Sequence, residues 1–397
     1  MADNLKMNLI HHSKERSVGH RVKACRPLAA LTCLIAAFTA GHARAESRSY
    51  VVSWFTTAVF SEEGDCAGIN PSIDGIYRTA LINRGYRGAE LEAMFRKYVG
   101  TTGGDEAADI VVNRARIGDR YVNAYANPEA SPDTNMFTVT GGKGFGFDLD
   151  GKGPEQPSAF QDPYTGEKGL DNQWVRAMGC HKSMRGFPPA DRPLQGGAYQ
   201  WDSIRNSMPA WLVTISGADL SRGGEVTVTF ERALEHVALN ARAETQPDTT
   251  FRVDPDPRWH SVFKATLKNR VVETAAPGYF HLLSDPYYVP EFRIRDARFR
   301  LRLTEDGGLD GILGGYQPWL DLYWSMANGG IALECCVGVD FIGMYHTLKR
   351  LADAGPDPQT GQNTEISIAY RIEAVRAFTV PATRNAQTKG AKQVAAQ

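Results

Sequence analysis

FRIRDARFRLRL, residues 292–303, is the stretch that decides the fold class. Phe292 and Ile294 alternate with arginines, and Ala297, Phe299, Leu301 and Leu303 continue the alternation one residue out of phase. An apolar residue at every second position marks a strand with one buried face, because successive side chains point to opposite sides of a sheet. The change of phase predicts a β-bulge near Asp296. The polar face carries Arg298, Arg300 and Arg302, which read either as an anion site or as a solvated face that discourages edge pairing.

Outward from this segment, strand signals recur at YVVSWFTTAV (50–59), Trp211–Ser216, Glu225–Phe230, Val262–Leu267, Tyr279–Leu283 and residues 366–372. Shorter β-like runs lie at 111–112, 121–125, 136–140 and 145–148, and 151–169 reads as a long irregular loop. Helical spacing appears within 72–83, at 89–98 through Leu91, Met94, Phe95 and Tyr98, and in a late segment from Phe341 to Leu351 that Gly355-Pro356 stops. The expected fold is mainly β: a β-sandwich, jelly-roll-like in one version, with a small helical N-terminal region and one late helix. The expected organisation is a signal peptide (1–45), an N-terminal α+β region (46–184), a Pro/Gly-rich linker (185–197), a β-rich domain (198–380) and a disordered tail (381–397).

The leader is read from three features. Arg16, Arg21, Lys23 and Arg26 precede the apolar run Leu28–Ala40, and Ala43-Arg44-Ala45 fits a small-x-small cleavage site. Such a run covers only about 20 Å as a helix, short of the hydrocarbon core. Cleavage after Ala45 is expected, with the mature chain periplasmic or extracellular and without stable membrane insertion. The 397 residues are 42% apolar and 22% charged with net charge −1, a globular profile that excludes collagen and wholesale disorder. Residues 1–45 hold seven Lys/Arg and two Asp/Glu, so their removal takes the charge to −6, which disfavours nucleic acid as a partner.

Four cysteines remain after the leader, Cys66, Cys180, Cys335 and Cys336, in a compartment that favours disulfides. Neighbouring Cα atoms are about 3.8 Å apart across a trans peptide, too close for an ordinary bridge. The expected pattern therefore has Cys335, Cys336 or both bridging to Cys66 and Cys180. Free thiols and a redox-active Cys335-Cys336 pair are the alternatives.

Chemistry-bearing residues concentrate in two places. FDLDGKG and DPYTGEKGLDN, within 147–172, bring Asp148, Asp150, Asp171 and Asn172 onto a turning, glycine-rich backbone. Oxygen donors so arranged suit a hard cation such as a structural Ca²⁺, although Lys152 and Ala159 break the EF-hand pattern; plain turn chemistry is the competing reading. PYYVPEF (286–292) and YQPWLDLYW (316–324) concentrate aromatic residues. Tyr288, Trp319 and Trp324 beside Asp321 would make a glycan-stacking surface if exposed, and core filling if not. The mature chain has no HxH, HxxxH or HExxH spacing, and GxSxG, GxGxxG and Walker A motifs are also missing.

DLDG (148–151), GLDN (169–172) and DGGLDGILGGY (306–316) resemble a motif set of secreted bacterial proteins to which no activity is assigned. The resemblance implies an exported, β-rich protein; it carries over no functional residues. The expected function is non-catalytic binding of a glycan or cell-envelope component, with a Ca²⁺-stabilised fold. The alternative is a secreted, glycosidase-like hydrolase using two of Asp148, Asp150, Asp171, Asp321 and Glu334. Export is checked by N-terminal sequencing of the native protein: Glu46 is the expected first residue, and a start at Met1 or Met7 would contradict it.

Overall fold

The structure, a computed structural model, describes residues 46–382 apart from residue 72 and the segments 100–104, 187–195 and 285–290. Eight strands carry the fold: β1 (Glu46–Thr57), β2 (Pro209–Gly217), β3 (Gly224–His236), β4 (His260–Lys268), β5 (Val271–Thr274), β6 (Glu291–Leu303), β7 (Leu309–Pro318) and β8 (Asn363–Pro381). Each pairs antiparallel with the next, and β8 returns to β1, from Ser49↔Ala377 to Thr57↔Tyr370. The sheet closes on itself as an up-and-down barrel rather than splitting into the two packed sheets of a sandwich. Alternation along a strand reports one buried face and is the same in either architecture. What separates them is the pairing of the first strand with the last, which no local pattern encodes.

The interior is filled. Phe55 stacks on Tyr370 at 4.9 Å and meets Trp211 and Phe292 edge-on; Phe230 meets Phe263, Phe280 and Phe299 in the same way. An eight-stranded barrel is just wide enough for such side chains, each worth about 2–3 kcal/mol of transfer free energy. The bulge expected near Asp296 is present. Register with β7 slips between Arg295 and Arg298, and Asp296 takes φ +50°, a conformation that Asp tolerates better than most residues. The slip lets Phe292 and Ile294 before it, and Ala297, Phe299 and Leu301 after it, all reach the interior, where each is fully buried.

Residues 46–184 are not a separate region, because β1 is a barrel stave and residues from 46 onward form one compact unit. Between β1 and β2 lie helices α1 (Ile73–Asn83), α2 (Gly88–Val99), α3 (Asp105–Val112), α4 (Gln173–Met178) and α5 (Gly196–Ser207). The run 111–112, expected as strand, is the end of α3: Ile110 and Val111 pack with Ile76, Ala80 and Leu81 in a small helical core, and this burial overrides a two-residue β preference. After β7 come α6 (Trp319–Ala327), α7 (Gly330–Val337) and α8 (Phe341–Leu351). The late helix α8 matches its expected span and is N-capped by Asp340, which accepts from the Gly343 amide at 3.0 Å. Of the expected linker, 187–195 lies outside the described residues, Arg185 is buried on Asp65 at 2.6 Å, and Gly196 begins α5. Of the expected tail, 383–397 lies outside the described residues.

The disulfide pattern differs from expectation. Cys66 bonds to Cys180 across 114 residues, with Cα atoms 5.8 Å apart. The two loops are brought together by Asn70, whose amide donates to the Cys180 carbonyl at 3.0 Å and whose side chain exchanges hydrogen bonds with the Phe137 backbone. Cys335 and Cys336 are instead consecutive residues of α7. Non-reducing peptide mapping is expected to recover the Cys66–Cys180 peptide. Replacing both cysteines by alanine is expected to lower unfolding free energy by about 3–5 kcal/mol in denaturant titration, as for a long closed loop; an unchanged midpoint would contradict this.

Candidate metal centre

The acidic segment lies on the outside of the barrel wall. Phe147 and Leu149 pack on Tyr316 of β7, with Ile312 and Ala354 beside them. Gly314 leaves room for Phe147; a Cβ there would stand 2.9 Å from its ring. Gly146 similarly passes against the Asp171 carbonyl, which a Cβ would approach to 2.4 Å. The Asp171 amide then donates to the Phe147 carbonyl at 2.8 Å, a short antiparallel bridge that sets 148–150 beside 171. Segments far apart in sequence, 148–151, 169–172 and 314–316, thus meet at one place.

Asp148, Asp150 and Asp171 each offer one oxygen there, and these oxygens lie within 4.8 Å of one another. That span is what a Ca²⁺ ion with ligands at about 2.4 Å can bridge. Asp148 Oδ1 accepts from the Gly151 amide at 2.8 Å. Asp150 accepts from the Lys152 amide at 2.9 Å and pairs with Lys152 Nζ at 2.8 Å. Burial of Asp150 is outweighed by these bonds with Lys152, so its carboxyl titrates below the ordinary range. Asp171 is 1% exposed. Its Oδ2 accepts from the Leu149 amide at 2.8 Å, while its Oδ1 is buried with no hydrogen-bond partner. Burial, opposed by the Leu149 amide and reinforced by the charges of Asp150 and Asp353, pushes the Asp171 carboxyl up to about 6.

Asp353 was not legible as a site residue. It follows α8, and its carboxylate accepts from the amide and hydroxyl of Ser367 at 2.7 Å each. Burial raises its pKa, with Asp150 adding to the effect. Four carboxylates therefore share a region in which the exposed Lys152 pairs with Asp150. Of the polar-face arginines of β6, Arg298 and Arg300 are part-buried clamps, and Arg302 is solvent-exposed as a solvated face expects. Arg298 Nη1 donates to the Asp148 carbonyl at 2.6 Å, Arg300 joins Glu167 and Glu273, and Arg302 joins Asp310. A cleft of about 360 Å³ opens beside Asp148 between Arg298, Arg300, Glu167 and Glu273.

Asn172 does not join the carboxylates. Its Nδ2 donates to the Phe145 carbonyl at 2.8 Å and its Oδ1 caps α4 by accepting from Val175 at 3.2 Å. Of the described aromatic residues, Trp319 follows the core-filling reading. Helix α6 turns Trp319, Leu322 and Tyr323 inward, and Trp319 is buried edge-on to Tyr345 at 5.4 Å. Trp324 is half-buried against Tyr323, Asp321 is exposed, and Tyr288 lies outside the described residues. Glu334 is fully buried and accepts from Arg114 at 2.6 and 3.0 Å and from the Tyr125 hydroxyl at 2.5 Å, a buried ion pair.

Comparison of the chain with models of known protein families, with curated proteins and with solved structures returned no match.

The raised Asp171 carboxyl has a consequence for the metal-free protein. A folded-state pKa near 6 against an ordinary 3.8 means that ionised Asp171 opposes folding above pH 6, and that the penalty fades as pH falls toward 4. A shift of about two units corresponds to roughly 3 kcal/mol. In chelator, Asp171→Asn is expected to be more stable than wild type at pH 7.5, with the gap closing by pH 4. A gap that is constant with pH in urea titrations would contradict the assignment.

Proposed function

We propose that this chain is a non-catalytic binding protein of the periplasm or cell exterior, a β-barrel whose outer loop is pinned to the wall by a hard divalent cation, Ca²⁺. The observation that carries the cation is the buried, unpartnered Oδ1 of Asp171 beside the oxygens of Asp148 and Asp150. An ionised oxygen without a donor is costly inside a protein unless a metal or proton meets it. A cation there joins 148–150 to 171 and, through Phe147 and Arg298, fastens the loop to β6 and β7. Ca²⁺ fits better than Mg²⁺ because the donors are carboxylates on a loop of irregular geometry.

Binding rather than hydrolysis is supported by where the carboxylates lie. Asp171 has the raised pKa that a general acid needs, but it is 1% exposed, so a bare ion can meet it and a polymer cannot. Glu334 is held by Arg114 and Tyr125. A glycan or envelope component remains the proposed ligand class, with its contacts elsewhere than the Trp319 ring.

Thermal unfolding with and without cation tests the proposal. Millimolar Ca²⁺ is expected to raise the melting temperature of chelator-treated protein by about 5 °C, as for ligand in large excess over Kd. Asp171→Asn is expected to abolish the increment. Asn172→Ala, which removes a helix cap and the hydrogen bond to the Phe145 carbonyl but none of the carboxylates, is expected to lower the baseline and keep the increment. Equal melting curves in Ca²⁺ and chelator would overturn the cation.

A further inference from the structure

The helices α4 and α6–α8 extend the core at one end of the barrel. At the other end the staves are joined by three short turns, 218–223, 269–270 and 304–308, and the barrel opens there as a cleft of about 990 Å³. Barrel mouths of this size are common small-molecule sites. Its floor is apolar: Tyr50, Leu220 and Leu267 belong to the interior core, and Leu303 packs against it.

The rim breaks the rule that governs the rest of the interior. Along β1, Val52 and Tyr50 point inward, and the next inward position outward along the strand is Arg48, paired with the inward-facing Ile215. On β8, Ile372 and Ala374 point inward and the next position is Arg376, paired with Tyr50. Arg270 stands two residues before the inward Val272, and Arg222 sits in the β2–β3 turn. Four arginines from four parts of the chain thus line the mouth, with Glu305 the one acid among the described lining residues.

Their present partners are all solvent-exposed. Arg222 and Arg270 reach Asp219 and Glu305 only at 3.6 Å. Arg48 and Arg376 make two-point pairs, Arg48 with Glu46 at 2.8 and 3.1 Å and Arg376 with Asp248 at 2.5 and 2.7 Å. An incoming anion displaces the single-point pairs at small cost and shares the remaining donors of the two-point ones. Tyr50 adds a polar group that the fold leaves unused. The residue is 2% exposed and its hydroxyl makes no hydrogen bond among the described residues, although the charges of Arg48 and Arg376 both act on it. A hydroxyl donor that shares a cleft with two arginines over an apolar floor suits an oxyanion that carries an uncharged body.

We infer that the barrel mouth is a binding site for a phosphate ester, its phosphoryl oxygens held by Arg48, Arg376 and the Tyr50 hydroxyl and its uncharged portion resting on Leu220, Leu267 and Leu303. Guanidinium groups match phosphate oxygens in bidentate geometry, which favours phosphate over a simple halide. The site is separate from the carboxylate cluster and stands whether or not that cluster holds a cation. The phosphate ester can be a lipid headgroup or a soluble phosphate, and the experiment distinguishes them.

Isothermal titration calorimetry of the purified protein at low salt is run with three probes: dihexanoyl phosphatidylglycerol below its critical micelle concentration, dihexanoyl phosphatidylcholine, and inorganic phosphate. The anionic lipid is expected to bind at least about tenfold more tightly than the zwitterionic one, and binding is expected to weaken with ionic strength. Inorganic phosphate binding as tightly as the anionic lipid supports the same oxyanion site with a soluble ligand. Arg48→Gln with Arg376→Gln is expected to weaken the preferred probe by about tenfold or more, and Tyr50→Phe by severalfold, at unchanged circular dichroism. Should the first double variant fail to fold, Arg222→Gln with Arg270→Gln reads the same rim. Absence of binding by both anionic probes, equal affinity for the two lipids, or full affinity in the folded double variant would overturn the site.

Discussion

Everything in this molecule depends on the pairing of its first strand with its last. β1 closes against β8 from Ser49–Thr57 to Tyr370–Ala377, and without β1 both β2 and most of β8 would be left as open edges, with the end of β8 held by residues 249–253. Closure is stabilised from within by the aromatic column in which Phe55 of β1 meets Tyr370 of β8 and Phe292 of β6. The chain between β1 and β2 is long, so closing the barrel also anchors the disulfide, the helices α1–α5 and the acidic loop to one rigid wall.

That wall is what makes the carboxylate cluster possible. Outward-facing Gly314 and Tyr316 receive Phe147, the Phe147–Asp171 bridge aligns two acidic turns, and Arg298 and Arg300 of β6 clamp them from below. Burial raises the Asp171 and Asp353 carboxyls, and repulsion from Asp150 adds to the effect on both. Such an arrangement persists only if something offsets the repulsion. Lys152 meets Asp150, but Asp171 Oδ1 has no donor.

The legible parts of the sequence were those where local pattern and burial agree. The phase slip at Asp296 was readable because a bulge leaves a mark in alternation, and α8 because its apolar spacing and its stop signal coincide. The three aspartates of the cluster were readable because carboxylates and glycines at turn spacing already suggested an oxygen-rich loop. Barrel closure was not readable, since strand patterning is blind to which strands become neighbours. Asp353 was missed because it reaches the cluster only through the fold, and Asn172 was misread because a side-chain oxygen that caps a helix looks, in sequence, like a ligand. Trp319 followed its helix into the core instead of facing solvent. The cysteine pairing was misjudged because Asn70, 110 residues from Cys180, decides which loops touch.

The central question is what meets Asp171 Oδ1, and a crystal structure grown in Ca²⁺, with anomalous differences collected at long wavelength, answers it directly. The expected result is an anomalous peak among Asp148, Asp150 and Asp171, with oxygen ligands at about 2.3–2.6 Å. A map without that peak, showing Lys152 or a proton-shared carboxyl pair in its place, would contradict the cation and leave the cluster as turn chemistry alone.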